Sequence, residues 1–305
     1  MWFLSLLAAT ASAADPLATP EADEVMRLTR AALAGDTTAL PLLAAQCDAG
    51  VGFACGNLAS LLRKGVGGPA RVAETTALLE KGCTAGWALA CGDLGFVLAR
   101  GEGVPADPER GYRYTREACE KGYAPSCGEA ADMLVSGYGV AADAVAARGL
   151  FERACAGQSW SFCTKVGGVY EQGIGGAVDL LKAEDAYLAA CTHGQAEACG
   201  RLPWVVGAQG DPERAFRVSE ELCKQAIAHA CVWSGTSLRK GQGTAVDAKA
   251  AAVRYGQACD AKEALGCAGI AALHLEAGRD AKAKVALEKA CALGMTAVCD
   301  GAGGK

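Results

Sequence analysis

Sixteen cysteines stand in eight pairs, and seven residues separate the two members of every pair. The pairs are Cys47 and Cys55, Cys83 and Cys91, Cys119 and Cys127, Cys155 and Cys163, Cys191 and Cys199, Cys223 and Cys231, Cys259 and Cys267, and Cys291 and Cys299. Successive pairs lie 36 residues apart, except for steps of 32 from Cys191 to Cys223 and from Cys259 to Cys291. No cysteine is left over, and the spacing favours closure of each pair on itself. Two antiparallel helices joined by a short turn bring residues i and i+8 to a Cα separation of roughly 5–6 Å, within disulfide reach. Each closed loop is worth roughly 2.5 kcal/mol in the chain-entropy model, so eight bridges contribute up to about 20 kcal/mol. Zinc is a poor alternative, because tight sites need C-x2-4-C pairs joined to a second pair or to histidines. His193, His229 and His274 are scattered through the chain. None of the cysteines is odd or distinguished, so none stands out as a nucleophile. Sixteen paired cysteines require an oxidising compartment.

Aligning the chain on the second cysteine of each pair exposes a repeat. Three residues later stand Leu58, Leu94, Ala130, Val166, Leu202 and Ile270; four later come Ala59, Gly95, Ala131, Gly167, Gly235 and Ala271. Apolar residues follow again at six and seven, as in Leu61-Leu62 and Val97-Leu98. That stripe predicts a helix, and its small residues let a neighbouring helix approach closely. Ten residues after the cysteine a G-x-G opens at Gly65, Gly101, Gly137, Gly173 and Gly241, which predicts a left-handed helix cap. Asp107, Asp143, Asp179 and Asp247 then predict N-caps for a second helix, and Arg71 takes that column in the first full repeat. The second helix carries Ala39, Ala147, Ala183, Ala215, Ala251 and Ala283 eight residues before its cysteine. Gly50, Gly86, Gly122, Gly194 and Gly294 follow that cysteine by three and predict its C-terminal cap. The two 32-residue repeats lose their four residues from the loop between the helices. Asp211-Pro212-Glu213 and Gly278-Arg279-Asp280 are expected to start the second helix there. A bridge therefore joins the second helix of one repeat to the first helix of the next.

The expected fold is all-α, a solenoid of about eight helix-turn-helix repeats stapled by disulfides, because one helix pair cannot bury its apolar stripe alone. Residues 37–300 form the array and residues 14–36 an N-terminal helix, begun by Thr19-Pro20-Glu21 and running to about Ala34. Residues 301–305 are expected to be a flexible tail. Residues 1–13 read as a secretory signal, with an apolar core at Trp2 to Ala9 and an A-x-A pattern at Ala11-Ser12-Ala13, though no Lys or Arg precedes the core. The expected location is secreted or periplasmic. Hydrophobic types make up 51% of the 305 residues, which excludes disorder. A net charge of −5 gives no electrostatic reason to expect nucleic acid as a partner. No segment beyond the signal is long enough to span a bilayer.

The columns A-x3-[FYL]-x3-C, G-x7-C, C-G-x-L-[AG] and G-x-G-[VI] resemble the Sel1-like repeat family over about residues 37–300. With a C-x7-C bridge in each repeat, the resemblance is to its secreted cysteine-rich branch, the helicobacter cysteine-rich proteins. It implies a right-handed α-solenoid related to tetratricopeptide arrays, a concave face lined by the first helix of each repeat, and binding work. It also implies an alternative, penicillin binding or weak β-lactamase activity.

The residues give little to catalysis. One S-x-x-K occurs, Ser237 to Lys240, but neither S-D-N nor K-T-G does. Ser237 also falls in a column held elsewhere by Leu61, Val97, Met133 and Val169. The G-x-G loops lack the Lys-Ser/Thr and the preceding strand of a phosphate cradle. No catalytic residue, metal or cofactor is expected. The candidate ligand-binding residues lie two and five after the second cysteine, on the face turned away from the core. They are Asn57, Asp93, Glu129, Lys165, Arg201 and Trp233 at the first position, and Phe96, Asp132 and Trp204 at the second. These rows vary between repeats, from acidic through basic, with aromatic anchors of the kind that peptide grooves use. The expected function is an exported monomeric scaffold binding a protein or peptide, or a cell-wall component, through its concave face.

Overall fold

The structure is a computed structural model that describes residues 20–68 and 71–299. The expected signal at 1–13 and the tail at 301–305 lie outside the described residues. Among the described residues there are sixteen α-helices and no strand. The chain divides into two compact units, Met1–Met133 with Gly137–Ala141, and Leu134–Ser136 with Ala142–Lys305. The first holds α1 (Pro20–Leu33), α2 (Ala39–Asp48), α3 (Gly52–Arg63), α4 (Val72–Thr84), α5 (Ala88–Arg100), α6 (Pro108–Glu120) and all but the last turn of α7 (Ala124–Ser136). The second holds α8 (Ala144–Ala156), α9 (Trp160–Gln172), α10 (Leu180–Thr192), α11 (Ala196–Ala208) and α12 (Pro212–Lys224). It continues through α13 (Ala228–Lys240), α14 (Ala248–Asp260), α15 (Ala264–Glu276) and α16 (Asp280–Ala292), and closes on a 3-10 turn at Thr296–Val298. Within each unit successive helices pack in chain order, which is the expected solenoid of helix pairs.

Each of the eight cysteine pairs closes on itself, joining an even-numbered helix to the segment that follows it. The Cα separations run from 4.6 Å at Cys47–Cys55 to 5.1 Å at Cys291–Cys299, at or just below the range expected from the turn. The half-cystines belong to the core, since Cys55, Cys91, Cys163 and Cys267 have no exposed surface.

The punctuation follows the sequence. Asp107, Asp143, Asp179, Asp211 and Asp247 each accept a hydrogen bond from a backbone N–H in the first turn of the following helix. At the other 32-residue repeat Gly278-Arg279-Asp280 starts the helix as expected, with no side-chain cap. Arg279 takes the N-cap position of α16 with no side-chain hydrogen bond, and Asp280 sits one residue too late to cap. Arg71 leaves α4 uncapped in the same way.

The two glycines of each G-x-G do different work. The first caps: Gly101, Gly137, Gly173 and Gly241 take φ near +70° and donate to a carbonyl of the last helical turn. The second allows contact with the preceding even-numbered helix. A Cβ on Gly139 would stand 2.1 Å from the Pro108 carbonyl oxygen, and one on Gly243 2.0 Å from that of Pro212. The column of small residues inside the odd-numbered helices has a similar cause. A Cβ on Gly167 would lie 2.5 Å from the Tyr187 ring, and one on Gly235 2.8 Å from that of Tyr255. These are the close helix approaches that the stripe implied.

Three turns depart from glycine. Gln158, Ala226 and Lys262 occupy the column of Gly50 and Gly86 and still adopt φ of 65°, 62° and 64°. A Cβ in that region costs roughly 1 kcal/mol or more. Ala226→Gly should therefore raise the melting temperature of the oxidised protein, by up to about 1 kcal/mol in stability. Gly139→Ala should lower it by about 2 kcal/mol or more, because overpacking adds to the strained φ. Thermal melts followed by circular dichroism read both.

Candidate functional site

Within each unit the odd-numbered helices approach one another over more residues than the even-numbered ones do, although α2 also approaches α4. In the first unit α1 approaches α3, and α3 approaches α5. In the second, α9 approaches α11, α11 approaches α13 and α13 approaches α15, each more extensively than any two of α10, α12, α14 and α16 approach one another. Ion pairs span the even-numbered helices. Asp48–Lys81 at 2.8 Å joins α2 to α4, and Glu80–Arg110 at 3.0 Å joins α4 to α6. In the second unit Glu184–Arg214, Glu220–Arg254 and Asp260–Lys289 link α10, α12, α14 and α16 in succession. The odd-numbered helices thus form the more closely packed side of each unit, called its inner face below.

In the first unit the inner face is acidic. Asp93 on α5 and Glu129 and Asp132 on α7 interact electrostatically, with Tyr123 beside the first two. Burial raises the pKa of Asp93, and the Arg63 charge opposes the shift. Glu129 is raised first by burial and then by repulsion from Asp93 and Asp132; a hydrogen bond from Ser126 and the Arg100 charge pull the other way. Phe96 lies 4.5 Å beneath the Arg100 guanidinium. Asn57 donates to the Thr29 hydroxyl at 3.2 Å, so it ties α3 to α1.

In the second unit Arg201, Trp204 and Trp233 line one groove of about 800 Å³, together with Glu197, Gly200, Ile227 and His229. Trp204 keeps 40% of its surface exposed. Arg201 is paired with the largely buried Glu171 at 3.5 Å, and the Tyr187 hydroxyl donates to the same carboxylate at 2.7 Å. Burial first, and that carboxylate second, push the Tyr187 phenol well above its ordinary pKa. His229 Nδ1 lies 2.8 Å from Glu263. Lys165 stands apart from this groove's lining and sits 5.2 Å over the Phe162 ring and 5.7 Å over that of Phe151.

Reading rows two and five after the cysteine missed Glu197 and His229. Both stand two residues before the second cysteine of their repeats. That column lies on the same helical stripe, since positions −2, +2 and +5 are separated by four and then three residues. His229 stands in the first turn of α13. His193 stacks on Trp160, with ring centroids 3.5 Å apart.

Ser237 is buried at 3% exposure in the last turn of α13, where its carbonyl accepts the capping N–H of Gly241. Among the described residues the group closest to metal-ligand geometry is Cys83, Cys91 and Glu117. Its sulfurs form a disulfide and offer no thiolate.

In class this is a disulfide-closed array of α-helical pairs. The fold is the Sel1-like repeat fold, and its bridges fit the cysteine-rich branch. The chain is similar to the crystal structure of c5321, a protective antigen present in uropathogenic Escherichia coli strains that displays this fold. The two are 19% identical with a TM-score of 0.70, over 85% of this chain and 57% of that one. The chain thus spans little more than half the length of c5321. A Sel1 repeat protein from Oxalobacter formigenes is 21% identical with a TM-score of 0.55, over 61% of this chain and 79% of that one. No family model and no curated protein matches the sequence.

The acidic face sets a pH dependence. A carboxyl whose folded pKa is raised binds its proton more tightly in the native state, so stability falls as pH rises through the interval above the unfolded value. Glu129→Gln should therefore melt at a higher temperature than the parent at pH 7, and the difference should shrink towards pH 4. Melting curves of the two proteins at both pH values test the sign.

Proposed function

We propose that the chain is an exported scaffold that binds a protein or peptide through the inner faces of its odd-numbered helices. One observation carries the reading. The inner face of the second unit exposes Trp204 in a groove shared with Trp233 and Arg201, and the inward rows differ from repeat to repeat while the bridge columns recur. The inner face also holds half-buried carboxylates in the first unit and an exposed tryptophan groove in the second. Groups that are costly to leave without a partner mark binding surfaces more often than bare solvated ones do. The eight bridges support a secreted or periplasmic location. No described helix is long and apolar enough to cross a membrane. The acidic first unit and the tryptophan groove do not favour a cell-wall ligand over a protein. The scaffold is read as acting as a monomer.

Photo-crosslinking tests this directly. A benzophenone side chain in place of Phe96 or Trp204 should capture partner from an envelope fraction. The same group at Arg113 or Val253, on even-numbered helices, should not. Equal capture from both sets would overturn the reading.

The β-lactam alternative rests on family resemblance, and the placement of Ser237 gives it no support. The oxidised protein should not turn over a chromogenic cephalosporin. Turnover abolished by Ser237→Ala would reverse that conclusion.

A further inference from the structure

Some of the chain's aromatic rings are covered by its own cations. Arg100 lies over Phe96, Arg148 at 3.9 Å and Lys182 at 5.1 Å over Tyr170, and Lys165 over Phe162. Tryptophan has the most strongly attracting ring for a cation. Yet Trp204 and Trp233, which share the groove of the second unit, carry no cation of the chain among the described residues.

The groove's charge points the same way. Glu197 lines it and is exposed, with no ion pair among the described residues. Arg201 also lines it, but Glu171 neutralises that guanidinium at 3.5 Å. His229, charged only when protonated, faces Glu263 at 2.8 Å. The lining and its paired groups thus hold three carboxylates and one permanent cation, which disfavours an anionic occupant. Two uncovered indoles beside an unpaired carboxylate suit a flat, weakly hydrated cation.

We propose that this groove binds the guanidinium of an arginine side chain on the partner, stacked on Trp204 and Trp233 with Glu197 as its counter-ion. The assignment rests on the inner-face reading above and supplies the partner's chemistry. Glu197 and the two tryptophans are then specificity-determining contacts, and the inner face of the second unit selects a basic segment. A neutral residue of the same shape gains the apolar contact and loses both the cation–π attraction and the ion pair.

The test uses 15N-labelled, oxidised, full-length protein. The indole N–H resonances are assigned from Trp204→Phe and Trp233→Phe. The protein is titrated with a blocked tripeptide, acetyl-Gly-Arg-Gly-amide, whose sole charge is the guanidinium. Both indole signals should shift saturably at millimolar peptide. The citrulline counterpart should bind at least tenfold more weakly, and Glu197→Gln should weaken the arginine peptide by a similar factor while leaving the rest of the spectrum in place. Equal shifts with citrulline, no loss in Glu197→Gln, or no saturable shift would each overturn the assignment. Saturation by choline without a response to the peptide would overturn it too, in favour of a free quaternary ammonium. None of these failures touches the crosslinking result. Capture at Trp204 with no arginine preference leaves the scaffold reading intact and removes only the groove's chemistry.

Discussion

A bridge between residues eight apart closes only if the chain reverses between them. Here that condition is met eight times, at Cα separations of 4.6–5.1 Å, and much of the rest of the structure depends on it. Each bridge fixes where an even-numbered helix stops, how tightly the chain turns, and which face of the next segment is buried. The chain is rich in alanine and glycine and poor in aromatics, so its helices bury little area per residue. Short covalent loops reduce the conformational freedom of the unfolded chain and offset that deficit. Buried half-cystines such as Cys55 and Cys91 also act as small apolar core residues.

The close packing of the odd-numbered side rests on small side chains. Gly167 and Gly235 let the Tyr187 and Tyr255 rings press against the odd-numbered helices, and the odd-numbered helices in turn approach one another. Ion pairs such as Asp48–Lys81 and Glu220–Arg254 span the even-numbered helices. An exposed pair such as Asp48–Lys81 contributes little stability, so its effect is on spacing more than on free energy. The inner face is left free to vary. The first unit has used that freedom to collect carboxylates, and the second to pair two indoles.

The helical array was legible because its signals are local and recur. A cap aspartate, a cap glycine and a cysteine at fixed offsets identify a helix pair without knowledge of distant contacts. What stayed hidden was set by contacts between repeats. The second glycine of the G-x-G is required by the carbonyl of Pro108 or Pro212 on the preceding even-numbered helix, which periodicity does not reveal. Arg279 shows the reverse case, a helix start without a side-chain cap. On the inner face the sequence rows located Arg201, Trp204 and Trp233 but could not show that they share one groove. They also could not show that Asn57 and Phe96 interact with their own chain. Glu197 and His229 were within reach, since they stand one helical turn before rows already read.

The most direct test of the account is the disulfide map. Proteolysis of the unreduced protein under conditions that block exchange, followed by mass spectrometry, should return eight linked pairs. Each should join a cysteine to the one eight residues later, with no free thiol. A bridge between different repeats, or a reproducible free cysteine in the folded protein, would contradict the account at its foundation.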